Sequence, residues 1–337
     1  MLKKTFPGNV SIGKMVWVAA IACLTIPIPA TAQVPKVKVA TLASPSTGAW
    51  MAAIMEARQI DIKHGVDVEW IEQPTLPSLY NDFAAGSYPI ATGGMMTYAN
   101  QYARGVKLKF FATYQLFGTS VIINTERAPD IRSLKDLGGK EMAATLASEN
   151  YKAMTIYLLW AGVDLKSLKT RNFAHPGVAA ELRSPTGTAQ AGVLWGELPT
   201  SVVMADPKKF KDIVSVDELE KLWRQKTGTE HHWLLGSAVQ DDFARSNAAL
   251  LQRVYSAMKE AVDWFNEHTD EALKLVSEKT KNPVPVLSET VKAGRVKFLT
   301  TTAESQEKAI MELLKISAHL GFVTKLPDAG FYYRGLR

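Results

Sequence analysis

The residues best suited to chemistry lie in polar turns that close an apolar strand and open a helix. In YNDFAAGSYPIATGGMMT, residues 80–97, the strand-like YPIAT runs into Thr92, Gly93 and Gly94 and then into Met95. Glycines leave backbone bare for close approach, and the first N–H groups of a helix receive anions or carbonyl oxygens. One such turn alone is more often a tight strand-to-helix connection than a site. SPSTG, residues 44–48, repeats the arrangement after an earlier strand, which adds Ser44, Ser46 and Thr47 to Thr92 as candidates. Ser148 and Asn150 open a third helix in the same way. Each hydroxyl also reads as a plain helix cap. The chemistry this pattern supports is capture of a small solute. No G-x-G-x-x-G dinucleotide turn follows the strand before SPSTG or the strand before Gly93 and Gly94.

Catalytic and metal chemistry find less support. The six histidines, at 64, 175, 231, 232, 268 and 319, show no H-E-x-x-H or other ligand spacing. Neither a G-x-S-x-G elbow nor a P-loop occurs. Neither a metal nor a cofactor is expected. Cys23 is the single cysteine and lies in an N-terminal leader: Lys3, Lys4 and Lys14 precede the apolar MVWVAAIACLTIPIP, and ATA at 30–32 supplies the small residues of a cleavage site. The apolar run is too short and too proline-broken to span a bilayer. Export to the periplasm with cleavage after Ala32 is therefore expected. A lipid on Cys23 ranks below it, because Ala20 stands where a bulky aliphatic residue is usual. The mature chain then has no thiol chemistry and no disulfides. Its charge balance falls from 39 basic against 33 acidic residues to 36 against 33 without the leader's three lysines, which is no nucleic-acid footprint.

The elements that must position these turns alternate along the 337 residues. KVKVATLA at 36–43 is a strand; residues 48–65 form a helix capped by Thr47 and stopped at Gly65; VDVEWIEQ at 66–73 is the next strand. Such a unit demands parallel strands, and ligands of open α/β sheets sit beyond the carboxyl ends of those strands. A second α/β region begins near residue 120, with a strand from Lys140 to about Leu146 and a long helix capped at Ser148. HHWLLGSAV, 231–239, reads as a strand returning to the first region. Helices follow, one of them given a capping box by Thr301 and Glu304.

With SPSTGAW after the first strand, DFAAGSYPIATGG, SLKDLGGKEMA opening the second region and WGELP within it, the chain resembles the nitrate, sulfonate, taurine and thiamine-precursor type of periplasmic substrate-binding protein that serves ABC importers. The resemblance covers nearly all of residues 33–337; Pro89 stands where the family commonly carries Asp. It implies an α/β, two-lobe periplasmic-binding-protein fold of type II, with a ligand cleft between lobes joined by two crossing segments. Lobe 1 would be 33–118 with 238–337 and lobe 2 would be 119–237. It implies a non-enzymatic monomer that hands a small organic solute to a membrane permease. Partnership with a membrane sensor, or an enzyme of the thiamine-pyrimidine-synthase kind, are the alternatives; the latter's cysteine-rich signature is missing. The comparison places Trp50, Tyr114 and Trp195 at cleft-facing loops, where a planar ligand would stack, although such rings are more often core. Gly93 and Met95 join them at the glycine turn. Glu197 is either a ligand for an amine or a structural cap before Pro199's helix, and sulfonates, carboxylates, amines and heterocycles all remain open as solutes.

Intact-mass measurement of periplasmic protein is expected to find Gln33 as the first residue, free or cyclised. A retained leader or a lipid on Cys23 would refute the reading of residues 1–32.

Overall fold

The structure, a computed structural model, describes residues 34–337; the leader and its cleavage site lie outside the described residues. The strands in chain order are β1 (Lys36–Leu42), β2 (Asp67–Gln73), β3 (Ile90–Gly94), β4 (Leu108–Leu116), β5 (Ser120–Asn124) and β6 (Glu141–Ala144). β7 (Lys169–Asn172), β8 (Ala191–Leu194), β9 (Phe210–Asp212), β10 (Trp233–Gln240) and β11 (Phe298–Thr302) complete them. They form a six-stranded sheet, β11-β4-β10-β3-β1-β2, and a five-stranded one, β7-β6-β8-β5-β9. β1 runs parallel to β2 and β3, and β6 parallel to β7 and β8, as strand-helix-strand units require.

Apolar periodicity explains the helices that cover the first sheet. Helix Ala248–Glu267 buries Leu251, Val254, Met258, Val262 and Phe265 at three- and four-residue spacing, against Trp50, Ile54 and Met55 of helix Thr47–Arg58. On the other face, helices Met95–Ala103 and Glu307–His319 share a core that continues through Tyr157 and Trp223 into the second sheet. Three local expectations change. Ser46, not Thr47, caps the first helix, its Oγ accepting from the Gly48 N–H at 3.3 Å. That helix breaks at Gln59, which takes a left-handed φ of 50° before the short turn Ile60–Lys63. Thr301 lies inside β11, and helix Glu307–His319 begins at Gln306 without a side-chain cap, so 301–304 is no capping box.

The chain passes between the sheets twice. It leaves the end of β4 through 117–119 to enter β5, and it returns through 228–232 into β10. The lobe boundary expected between 237 and 238 falls inside β10, which belongs to the six-stranded sheet from Trp233 onward. Because β10 pairs antiparallel with β4, the two crossings lie side by side, and the Phe117 N–H donates to the His232 carbonyl at 2.8 Å. Their rings stack at 4.8 Å and 4°, Trp223 stacks on the other neighbour side of His232 at 3.9 Å and 10°, and Nδ1 of His232 lies 2.7 Å from the Tyr157 hydroxyl. Arg295, from the segment before β11, ties the first sheet's surroundings to the second: it donates to Ser120 at 3.0 Å, Asp212 at 2.9 Å and Thr200 at 2.8 Å.

Burial pulls the His232 pKa down from 6.5 to about 3, so the ring is neutral in the folded protein. The unfolded chain takes up that proton first as pH falls. The stability from the neutral ring is thus whole above about 6.5 and is lost as pH drops toward about 3. His232→Phe keeps a ring in the stack but leaves the Tyr157 hydroxyl unpaired, at roughly 1–3 kcal/mol. Urea unfolding is expected to show the variant weaker at pH 7, with the gap to wild type narrowing by pH 4.5. An unchanged gap would mean that His232 does not titrate on unfolding.

Candidate functional site

Helix starts from both sheets meet at one chamber of about 40 Å³. From the six-stranded side come Thr41 at the end of β1, Ser46 and Thr47 at the first helix start, Thr92 and Gly93 of β3, and Tyr114 and Gln115 of β4. From the other side come Ser148, Glu149 and Asn150, which open helix Glu149–Trp160, and Trp195 after β8. The hydroxyls are cross-linked. Thr47 donates to the Gln115 amide oxygen, Thr92 to Thr41 at 2.9 Å, and Thr119 of the crossing segment to Asn150 at 2.7 Å. Ser148 caps its helix, accepting from the Tyr151 N–H at 3.1 Å. Burial raises the Tyr114 hydroxyl well above its ordinary pKa, so it remains a neutral hydrogen-bonding group.

The paired glycines are explained by neighbouring side chains. Neither has a positive φ. A Cβ on Gly93 would stand 2.8 Å from the Tyr80 hydroxyl and 3.0 Å from that of Tyr98. A Cβ on Gly94 would stand 1.6 Å from Cγ of Glu149. That carboxylate, only 4% exposed, arrives from the facing helix and sits on the first turn of Met95–Ala103. It accepts from the Met96 N–H at 3.1 Å, the Thr97 N–H at 3.0 Å and the Thr97 hydroxyl at 2.6 Å. Lys152 completes the set at 3.3 Å. The Gly94 N–H donates to the Tyr80 hydroxyl at 2.8 Å.

Leu42, Leu76 and Trp195 also line a wider vestibule of about 360 Å³, walled by Pro45, Pro74, Pro77, Phe173 and Pro176. Trp195 lies flat on His175, with ring centroids 3.4 Å apart and planes within 4°. The Trp195 backbone N–H donates to Nε2 of His175 at 3.3 Å, and Nδ1 is buried without a hydrogen-bond partner. Burial lowers the His175 pKa to about 3, so this wall is uncharged.

The structure therefore gathers Thr47, Thr92, Gly93, Tyr114, Ser148, Asn150 and Trp195 at the chamber. Ser44 stands on the vestibule instead. Trp50 and Met95 do not reach it: Trp50 is core, packed against Phe265 and Phe298, and Met95 is buried beneath its helix because each faces the apolar side of the first turn. Glu197 lies away from the chamber as well. One of its oxygens accepts from the Asn282 amide at 2.8 Å, the other faces the Trp50 indole outside hydrogen-bonding geometry, and burial raises its pKa. Glu149, Tyr80, Gln115 and His175 were missed as site residues. The signal for Glu149 was its position beside Ser148, but an acid in a first helical turn reads as pairing with its own helix dipole.

Two α/β sheets joined by adjacent crossings, with a polar chamber between their helix starts, are the architecture of the periplasmic-binding-protein fold. A family model described as ABC transporter, phosphonate, periplasmic substrate-binding protein matches residues 49–281, and the chain belongs to that family. The fold is similar to that of the aliphatic sulphonate binding protein SsuA from Escherichia coli, with a TM-score of 0.70 at 15% identity over 87% of this chain and 95% of that one. It is similar also to the alkanesulfonate-binding SsuA of Xanthomonas axonopodis pv. citri bound to MOPS, with a TM-score of 0.68 at 13% identity over 87% and 94%. The nitrate-binding protein NrtA of Synechocystis PCC 6803 gives 0.69 at 13% over 88% and 83%. No curated protein matches the chain. Among the described residues no helix is long and apolar enough to cross a membrane, and no group of three His, Cys, Asp or Glu is placed to hold a metal ion.

Gly94→Ala is expected to push Glu149 off the helix start and to destabilise the protein by about 1–3 kcal/mol. In a Glu149→Ala background the same change should cost much less. Urea unfolding of the four proteins measures the coupling, and additive costs would show that the glycine serves something other than Glu149.

Proposed function

We propose that the protein is exported and takes one small organic solute between its two sheets, as lobes that close on it, and delivers that solute to the permease of an ABC importer. The observation that carries this reading is the chamber's position: it is walled from both sheets, and among the described residues two adjacent crossing segments join the strands of those sheets. Turning about 117–119 and 228–232 would part Glu149 from the Met95 helix start and open the chamber. The chamber's size agrees, because about 40 Å³ holds a few waters and no ring, so a solute must enter an opened form. Closure then adds contacts that the open form lacks, and the solute shifts the population by that difference. The chain acts as a binder and not as an enzyme, and it works as a monomer. The relatives named for sulfonates and nitrate keep anions among the candidate solutes; the vestibule's proline, phenylalanine and tryptophan walls suit an apolar, planar body.

A thermal-shift collection of organic anions, amines and neutral heterocycles is expected to contain members that raise Tm by mass action. A saturating hit should compact the protein in solution scattering and protect amides at 92–95 and 148–150. Unchanged scattering and exchange would refute lobe closure. For that same solute, Trp195→Leu is expected to weaken binding by about 1–3 kcal/mol and Trp195→Phe by much less, read by calorimetry. Equal losses in both variants would remove stacking from the account.

A further inference from the structure

Three helix starts aim at the chamber, and at each of them a protein oxygen already holds at least one N–H donor. The Gly48 N–H is held by Ser46, the Tyr151 N–H by Ser148, and the Met96 and Thr97 N–H groups by Glu149. The first two are ordinary caps from the adjoining residue. The third is not, because Glu149 comes from the facing helix, 53 residues along the chain from Met96, and Gly94 is bare to admit it. All four groups on this carboxylate are donors, one of them the Lys152 ammonium. Its bonding is that of a bound anion. Of the described side chains that line the chamber, Glu149 is also the sole charged one; the vestibule is lined by none, and no arginine or lysine faces either space.

We infer that Glu149 sets the charge class of the solute. Its carboxylate occupies the seat at the Met95–Ala103 helix start that an anionic group would take, so the chamber admits a neutral or cationic hydrogen-bonding end carried on an apolar body. It turns away sulfonates, phosphonates and carboxylates. An anion entering beside Glu149 would meet a like charge in a water-poor space, offset only in part by the Lys152 ammonium paired with that carboxylate, and no cation lines the chamber. An amide, a neutral heterocycle or an amine meets the acceptor oxygens of Gln115, Asn150 and the threonines instead. This rests on the chamber being the solute site, but the seat itself is testable without any organic ligand.

The experiment compares wild type with Glu149→Ala in sulfate against chloride at equal ionic strength. Sulfate stabilises most proteins by exclusion, so the difference between the two proteins is the readout. Glu149→Ala is expected to gain a saturable sulfate-dependent rise in Tm of about 3 °C at ten times its dissociation constant, over and above wild type. Equal responses in both proteins, whether absent or present, would overturn the assignment of the seat. Should Glu149→Ala fail to fold, Glu149→Ser carries the same comparison. A second arm titrates wild type with benzamide, benzylamine, benzenesulfonate and phenylphosphonate. Stabilisation by either anion equal to or above that by the amide and amine would overturn the charge selectivity. Failure of the solute-capture reading looks different: no organic compound of any charge shifts wild type, while the sulfate difference between the two proteins persists.

Discussion

β10 lies antiparallel between β3 and β4, and the arrangement of the whole molecule depends on that insertion. A chain that simply continued from the first sheet into the second would leave the two joined at one point. Bringing β10 back beside β4 sets the outgoing and returning crossings next to each other, linked by the Phe117 to His232 hydrogen bond and closed by stacked rings. The same insertion makes Gly93 and Gly94 of β3 neighbours of Gly236 and Leu235, and it directs the ends of β1, β3 and β4 toward the second sheet. The chamber follows from strand pairing.

The joint and the chamber handle buried polarity differently. At the joint a full ion pair is taken out of water: Arg295 and Asp212 are about one-tenth exposed, and the remaining guanidinium donors go to Ser120 and Thr200. Such burial is tolerable only when nearly every donor finds an acceptor, since desolvation removes several kcal/mol per ion. At the chamber the charge is met by the Met96 and Thr97 N–H groups of the opposite helix and by Lys152 of its own helix, so that only the former contacts cross between the two sides. Glu149 is thus an almost dry carboxylate whose backbone donors come from across the chamber.

Membership of the family and likeness to the sulfonate- and nitrate-binding structures describe the frame. At identities of 13–15% the shared frame leaves each wall of the chamber to its own side chains. Here those walls are threonines, amides, tyrosine and a tryptophan laid on a neutral histidine, with one carboxylate held by the opposite helix.

By itself the sequence determined what depends on near neighbours. Alternating apolar residues in KVKVATL make β1, the three-and-four stripe of 248–267 makes a helix, and the polar turns at 44–48, 92–94 and 148–150 mark where strands give way to helix starts. Their common placement at one chamber was also readable, because strand-helix-strand units put such turns at the carboxyl ends of parallel strands. Tertiary structure alone decided which oxygen meets which donor. Thr47 looked like a cap, but its hydroxyl reaches Gln115, 68 residues on, and Ser46 does the capping. Trp50 looked like a stacking surface and packs into the core, because one turn of helix turns it away from the chamber. The glycine pair looked like bare backbone; Gly93 does line the chamber, and the space a side chain would take at the two positions is filled by two tyrosines and Glu149. Periodicity along a chain records which side of an element is apolar. It holds no record of a side chain that will arrive from another sheet, and the distance from Glu149 to the Met95 helix start is set by two crossing segments and the pairing of β10, none of which is a local property of residues 92–97 or 148–150.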